Sequence, residues 1–573
     1  MSPTLGSAGA RDGCPAAVSP LSGTVPAWAP WAAVAALIVL CALHGAHMVL
    51  GLALPPDVDA LRDIGFAQGF LDGDLFGDPT YAGERRFYPP LIPALRALVF
   101  RLVGGEDLPR HWVLLAPWLN LLAPLAFFFM TRRLFASTGI AAAALAAYVL
   151  LNGAVSRPWV TGGYTPWPAV PTLAQAMFFA AVWLIHARVG LARWRDAAVL
   201  GAAIGLTFLA HVVPAVILTG IVTAAAFVAQ GFHPRTVLWL ATVAAAQLAV
   251  MAPYMLPVLV NYPGGTVHTS YEWVHNLFKP MIQSLAKLLA LNAPGLAAAA
   301  LVLGPLRRAV PPMARLTAVI IAAWVGVAGA FLLRHYACGA LAPEGGDAAP
   351  ATCRAFVVAI HHYHLYLYAA WPLLIGFAGW HLVRRWIAGA PPDGGQGDGR
   401  SRRAGLAAAL VLASLALGGA GLLLRPFDLE SRGIALHHAD RDAMDLAAYR
   451  WILAETRPEA LFVTEMLEPW RTPAAFSVIA AGRKLISSPE WFSHPYVDWA
   501  TREELRLRYL AALTGTAEAE AIPCDVAARG LWALLPNGRA VAEGRAEPVF
   551  RSPAHTVWRA LPVVGCDAPG RVA

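Results

Sequence analysis

About eleven apolar stretches, each long enough to cross a bilayer as a helix, constrain this chain more than any other feature. They lie near residues 28–54, 112–130, 134–151, 170–187, 197–211, 213–229, 237–260, 282–303, 316–333, 363–383 and 404–424. A soluble core beneath a polar surface is excluded, because 58% of the 573 residues are hydrophobic, 14% are charged and the mean hydropathy is +0.55. The expected fold is an all-α polytopic membrane domain followed by a C-terminal α/β domain. Residues 197–230 allow two readings: two short helices meeting near Pro214, or one long kinked helix with a re-entrant piece.

A net charge of +8 and an isoelectric point near 9.3 would suit a nucleic-acid binder, but the distribution of charge argues otherwise. Arg132 and Arg133, then Arg188, Arg193 and Arg195, then Arg235, then Arg307, Arg308 and Arg315, then Arg384, Arg385, Arg400, Arg402 and Arg403 all fall in alternate turns between spans. With the N-terminus inside, every such cluster is cytoplasmic, so membrane orientation accounts for the charge and no nucleic-acid partner is needed. Residues 1–27 read as a disordered cytoplasmic tail, and the apolar run after them is too long for a signal-peptide core. Residues 28–424 form the membrane domain, with a first external loop at 55–110. Residues 425–573 form the extracytoplasmic α/β domain, with an amphipathic helix and strands near 461–464, 531–536 and 555–561. Residues 391–403 read as a flexible cytoplasmic loop, and no repeat with a period of about 20 to 50 residues is evident.

This topology places Cys14 and Cys41 inside or within the first span, and Cys338, Cys353, Cys524 and Cys566 outside. The simplest of three pairings joins Cys338 to Cys353 and Cys524 to Cys566. No CxxC or HExxH spacing points to a structural zinc or a metalloprotease.

The first external loop carries the chemistry. Asp57, Asp59 and Asp63 follow Pro55 and Pro56 at the end of the first span, where a carboxylate stays at the water boundary yet can meet a lipid-borne reactant. From Asp59 the order continues through Ala67 and Gly73 to Tyr88-Pro89-Pro90-Leu91. This order resembles the first luminal loop of the GT-C fold membrane glycosyltransferases, as the turn RPWVTGGYTPWP resembles their second. The terminal domain looks like those attached to many bacterial GT-C-like proteins. The resemblance implies a bacterial inner-membrane enzyme that moves a sugar from a polyprenyl-phosphate donor to an extracytoplasmic glycan, lipid or protein. It also implies that the Asp after the first span, best matched by Asp59 with Asp57 as near rival, is the catalytic base or a metal-associated carboxylate.

Direct displacement at an anomeric carbon needs a base within hydrogen-bond reach of the acceptor hydroxyl, and Asp59 is the candidate. The leaving lipid phosphate gains charge, and Arg62, Arg157 or Arg354 would stabilise it, as would a divalent cation, Mg²⁺ or Mn²⁺, held by Asp59 and Asp63 with Asp57. Tyr88, His211, His361 and His364 are further candidates for contact with substrate. On a helix His361 and His364 share a face and His362 points away, so a three-histidine metal site is not implied. Each candidate has a plainer reading. The acids suit a helix N-terminus, Tyr88 to Pro90 a rigid entry to an interfacial helix with Leu98, Phe100 and Leu102 on lipid, His211 a buried neutral imidazole, and the histidine and tyrosine run an aromatic belt. Glu490, His494 and Asp498 would face the membrane cavity or belong to a polar loop. A transporter or lipid flippase is the main alternative, but paired broken helices at the midplane are not evident. A binding or assembly protein is the third.

Overall fold

The computed structural model describes residues 26–55, 58–105, 107–151, 162–167, 170–263, 285–304, 313–341, 360–387, 444–466, 472–490, 494–517, 522–523, 526 and 530–561. Asp57, Arg157, Arg354, the tail before residue 26, the loop at 391–403, the eleventh expected segment and Cys14, Cys353, Cys524 and Cys566 lie outside them.

The helices run α1 Ala29–Val49, α2 Val58–Leu71, α3 Leu91–Val103, α4 Leu108–Asn120, α5 Leu122–Phe135, α6 Thr138–Leu150, α7 Val170–Arg188, α8 Trp194–Ala210, α9 Val212–Gln230, α10 Pro234–Asn261, α11 Leu285–Leu303, α12 Arg315–Leu341 and α13 Ile360–Ile387. Each of the first ten expected segments is largely helical over its described residues, with 28–54 running past the end of α1 and 134–151 crossing from α5 into α6, and among the described residues seven helical stretches are long and apolar enough to cross a membrane. The chain is a multi-pass membrane protein. The 13 residues of α6 rise only about 20 Å, short of a bilayer core about 30 Å thick. Segment 197–230 is two helices, and the break falls at His211 rather than at Pro214. His211 is extended (φ −162°, ψ 138°), its backbone N–H closes α8 on Thr207, and its Nδ1 accepts from the Val213 N–H that opens α9. Pro214 then sits in the first turn of α9, where its missing N–H costs nothing.

Hydrogen bonds between helix ends show that the described basic turns near Arg133, Arg188, Arg193, Arg235 and Arg315 gather at one face of the bundle. Thr317 donates to the Leu134 carbonyl at 2.8 Å, Gln230 to Val189 at 2.7 Å, Trp239 to Arg193 at 3.1 Å, and Arg188 pairs with Asp196 at 2.5 Å. At the other face Asn120 donates to the Thr165 and Trp167 carbonyls, and the Tyr254 hydroxyl donates to the Phe87 carbonyl. Cys338, near the end of α12 on that face, is disulfide-bonded, whereas Cys41 is a buried free thiol.

The C-terminal region holds α14 Leu446–Glu455, α15 Pro473–Ala480 and α16 Trp499–Thr514, with strands β1 Leu461–Thr464, β2 Lys484–Leu485, β3 Leu531–Pro536, β4 Ala546–Arg551 and β5 His555–Ala560. Strand order is β2-β1-β3-β5-β4, parallel across β2, β1 and β3 and antiparallel from β3 onward.

This sheet shares one apolar core with the first external loop. Leu61 and Ile64 of α2 pack with Phe462, Val478, Ile479 and Leu534, and removing each α2 side chain from water contributes on the order of 2 kcal/mol. A Cβ on Gly65 would stand 2.1 Å from the Ile479 carbonyl oxygen, so only glycine allows α2 to lie this close to α15. Arg483 pairs with Asp72 at 2.8 Å, Lys484 with Asp74 at 2.5 Å and Arg502 with Glu84, while across the seam the Ala82 N–H donates to the Leu485 carbonyl and the Leu485 N–H to the Pro79 carbonyl. Helix α3 leaves Leu98 and Leu102 exposed, together with Leu95. Phe100 departs from the expected lipid-facing set, because its ring meets His111 at 5.2 Å and packs against the shared core.

Candidate functional site

Asp59 stands in the first turn of α2, where an acid favours the positive helix end. Asp63 lies one turn on, and two carboxylates at that spacing repel unless a cation sits between them. Arg62 is that cation. Its guanidinium donates to Asp59 Oδ1 at 3.0 Å and to Asp63 Oδ1 at 2.9 and 3.1 Å. The environments differ: the Asp59 side chain is 59% exposed and that of Asp63 2%. Burial pushes the Asp63 carboxyl up to about 6, with Arg62 pulling against it and Asp59 adding to the rise. Burial also disfavours charge on Arg62, but Asp63, Tyr88 and Asp59 outweigh it and hold the guanidinium more firmly protonated than usual.

Arg62 lies 4.0 Å above the Tyr88 ring, so the YPPL turn brings an aromatic face to the carboxylate pair. From α3 the buried Arg96 donates to the Trp112 carbonyl at 3.0 Å, lies over the Trp112 ring and acts electrostatically on Asp63. Burial lowers Arg96 to about 9, which leaves it a cation at neutral pH. On the bundle side, His211 and His362 face each other with ring centroids 4.5 Å apart, and His361 lies 4.0 Å from His362. One guanidinium therefore meets two carboxylates and a tyrosine ring, while the three imidazoles cluster where the α8–α9 break meets α13.

Of the residues expected from sequence, Asp59, Arg62, Asp63 and Tyr88 come together, and His211 and His361 both lie beside His362. His364 does not: it is fully buried, its Nε2 lies 3.1 Å from Asn292 Nδ2, and it faces α11. His362 takes the place expected of it. Helical phase put His361 and His364 on one face with His362 pointing away, whereas the rings of His361 and His362 lie 4.0 Å apart beside His211 and His364 faces α11. His494 accepts no such role either, since its Nε2 binds the Arg85 carbonyl at 2.6 Å at the seam, Asp498 caps α16, and Glu490 is exposed elsewhere. Sequence reasoning missed Arg96, which reads as one more basic residue on an apolar helix and gives no signal of its burial.

The described residues do not fit a divalent cation. Arg62 occupies Oδ1 of both Asp59 and Asp63, and among the described residues no group of three or more His, Cys, Asp or Glu side chains is placed to hold a metal. A guanidinium and a hard cation would compete for the same oxygens.

Fold and site together define a multi-pass membrane protein with an acid–guanidinium group at one face of its helical bundle, roofed by a mixed-sheet domain that shares the site helix. No protein-family model matches the sequence, and no curated protein matches it. Among solved structures the chain is similar to ArnT from Cupriavidus metallidurans bound to undecaprenyl phosphate, at 15% identity over 94% of this chain and 99% of that one, with a TM-score of 0.48. It is similar to the Archaeoglobus fulgidus oligosaccharyltransferase in the apo form at 12% identity, over 89% and 70% of the two chains, with a TM-score of 0.47. A structure of AglB from the same organism, in complex with an inhibitory peptide and a dolichol-phosphate, overlays at 12% identity over 87% and 69%, with a TM-score of 0.40. At these identities and TM-scores the likeness gives no residue of this chain a role.

Proposed function

We propose that the chain is a GT-C-like membrane glycosyltransferase that moves a sugar from a polyprenyl-phosphate donor to an extracytoplasmic glycan, lipid or protein acceptor, in a bacterial inner membrane. The observation that carries this reading is an exposed carboxylate, Asp59, held by a guanidinium, Arg62, that also grips the buried Asp63 and lies over the Tyr88 ring. The acceptor oxygen forms a bond to the anomeric carbon as the bond from that carbon to the phosphate oxygen breaks. The bonding pair leaves with the phosphate, and the acceptor proton passes to Asp59. Arg62 neutralises the charge that gathers on the phosphate. Asp63 holds Arg62 in place from below. No step is assigned to a metal. The extracytoplasmic placement is supported by the basic turns gathered at the opposite face and by the disulfide at Cys338.

The test is transfer of label from purified polyprenyl-phosphate sugars to envelope acceptors by the full chain in lipid nanodiscs. The expected result is covalent label in an acceptor fraction with the wild type and none above background with Asp59→Asn. A wild type that moves labelled lipid between leaflets of a vesicle and forms no covalent product is a flippase, and the enzymatic reading then fails.

A further inference from the structure

The side chains of Asp59, Arg62, Phe66 and Phe70 fall on one stripe of α2, at the spacing that stacks residues along a helix face. Along that stripe runs a column of rings with a cation at each end. Arg62 lies 4.0 Å over Tyr88, Tyr88 stacks on Phe66 with centroids 5.8 Å apart and planes 13° from parallel, and Arg86 lies 4.7 Å over Phe66 and 4.3 Å over Phe70. Phe66 is 1% exposed. Arg86 is 3% exposed, its Nε and Nη1 find no hydrogen-bond partner among the described residues, and its contacts to the Phe66 and Gly77 carbonyls are long, at 3.4 Å. Its charge is therefore stabilised by the two rings and by the neighbouring Asp78 and Asp74 more than by hydrogen bonds. A stack serving only to fill space would not carry a buried guanidinium at one end and the site guanidinium at the other. On the neighbouring face, the close approach of Gly65 to Ile479 prevents α2 from rolling to relieve the column.

We propose that Phe66 is a positioning residue that acts through Tyr88 to hold the Arg62 guanidinium between Asp59 and Asp63. The proposal deepens the transferase reading, because it names what keeps the phosphate-facing cation aimed, and it rests on that reading for its consequence in catalysis. Its structural content can be read without turnover. Phe66→Leu keeps an apolar side chain but loses the stack, whereas Phe66→Tyr keeps the ring.

The experiment measures, by mass spectrometry, the rate at which phenylglyoxal modifies individual arginines of the full chain in nanodiscs. Phe66→Leu is expected to raise the Arg62 rate roughly fivefold, the shift in population that follows loss of one buried aromatic stack. Phe66→Tyr is expected to stay within about twofold of wild type. Arg483, buried in the core that α2 shares with the sheet, reports general loosening and should not change in either variant. The proposal is overturned by an unchanged Arg62 rate in Phe66→Leu, by Arg62 and Arg483 rising together, or by Phe66→Tyr behaving as Phe66→Leu does. Where the wild type transfers label, Phe66→Leu should also raise the donor KM by a similar factor. A wild type without transfer would end the functional reading, while the modification rates would still decide the role of Phe66.

Discussion

At both faces of the helical bundle a buried aspartate meets an arginine, and the two pairs are built differently. Arg188 at the end of α7 grips Asp196 in the first turn of α8; the acid is fully buried, the base about one-third exposed, and the pair ties two neighbouring helix ends. It is a staple, with one acid for one base. At the other face Arg62 grips the buried Asp63 but also holds the exposed Asp59 and lies on Tyr88. The second arrangement leaves a carboxylate open to solvent beside a cation shared among more partners than pairing alone needs. A salt bridge that only closes a fold satisfies its charges locally, and one that builds a site leaves some of them available.

Four substitutions and a chelation test this contrast. Asp59→Asn is expected to lower transfer by ~10³-fold, the range of a lost general base, with the thermal midpoint unchanged. Asp196→Asn should leave transfer within about twofold, and an equal loss in the two variants would erase the contrast. Arg62→Lys keeps the charge but loses the planar fork and the ring contact, and a rise of about tenfold in donor KM is expected from donor titrations. Asp196→Asn is instead expected to reduce stability by ~1–2 kcal/mol in thermal unfolding, less than a fully buried pair would cost because Arg188 can turn to water.

A smaller effect is expected on the pH dependence of stability. The folded-state value of Asp63, about 6, lies above the unfolded value of about 3.9, so the native state binds the extra proton between them. The stabilisation from that proton is present below about pH 4 and is lost as pH rises through about 6. A midpoint series across that window should fall with pH in wild type and flatten in Asp63→Asn. A wild-type series that does not fall there would remove the buried-acid account of Asp63. The smallest change is expected from chelation: EDTA should alter transfer by less than about twofold, since Arg62 holds the oxygens a metal would need. A large loss reversed by Mg²⁺ would restore the cation to the site.

Much of the fold was legible because bilayer thickness and helix rise set a length that apolar runs either reach or miss. The strands at Leu461–Thr464 and Leu531–Pro536 were also readable, from short apolar runs between turn signals. The break at His211 was not, because Pro214 is the stronger local signal and its place in a first turn depends on where the helix begins. The candidate site was half legible. Asp59, Arg62 and Asp63 announce themselves by spacing on one helix face, and Tyr88 by the YPPL turn. Arg96 and His362 had no such signal, since their places arise from α3 reaching α2 and from α13 reaching the α8–α9 break.

Hydropathy and charge spacing alone therefore determined that this protein crosses a membrane many times, that its basic turns share one face, and that its acids collect after the first span. Those properties depend on near neighbours in sequence and on the bilayer as solvent. Only the tertiary structure decided that the sheet domain and the loop after the first span share one core, that Asp59 stays open while Asp63 is closed, and that His362 rather than His364 meets His211. Burial and the sharing of one guanidinium between groups are set by segments far apart in the chain, and no local pattern encodes which of them will meet.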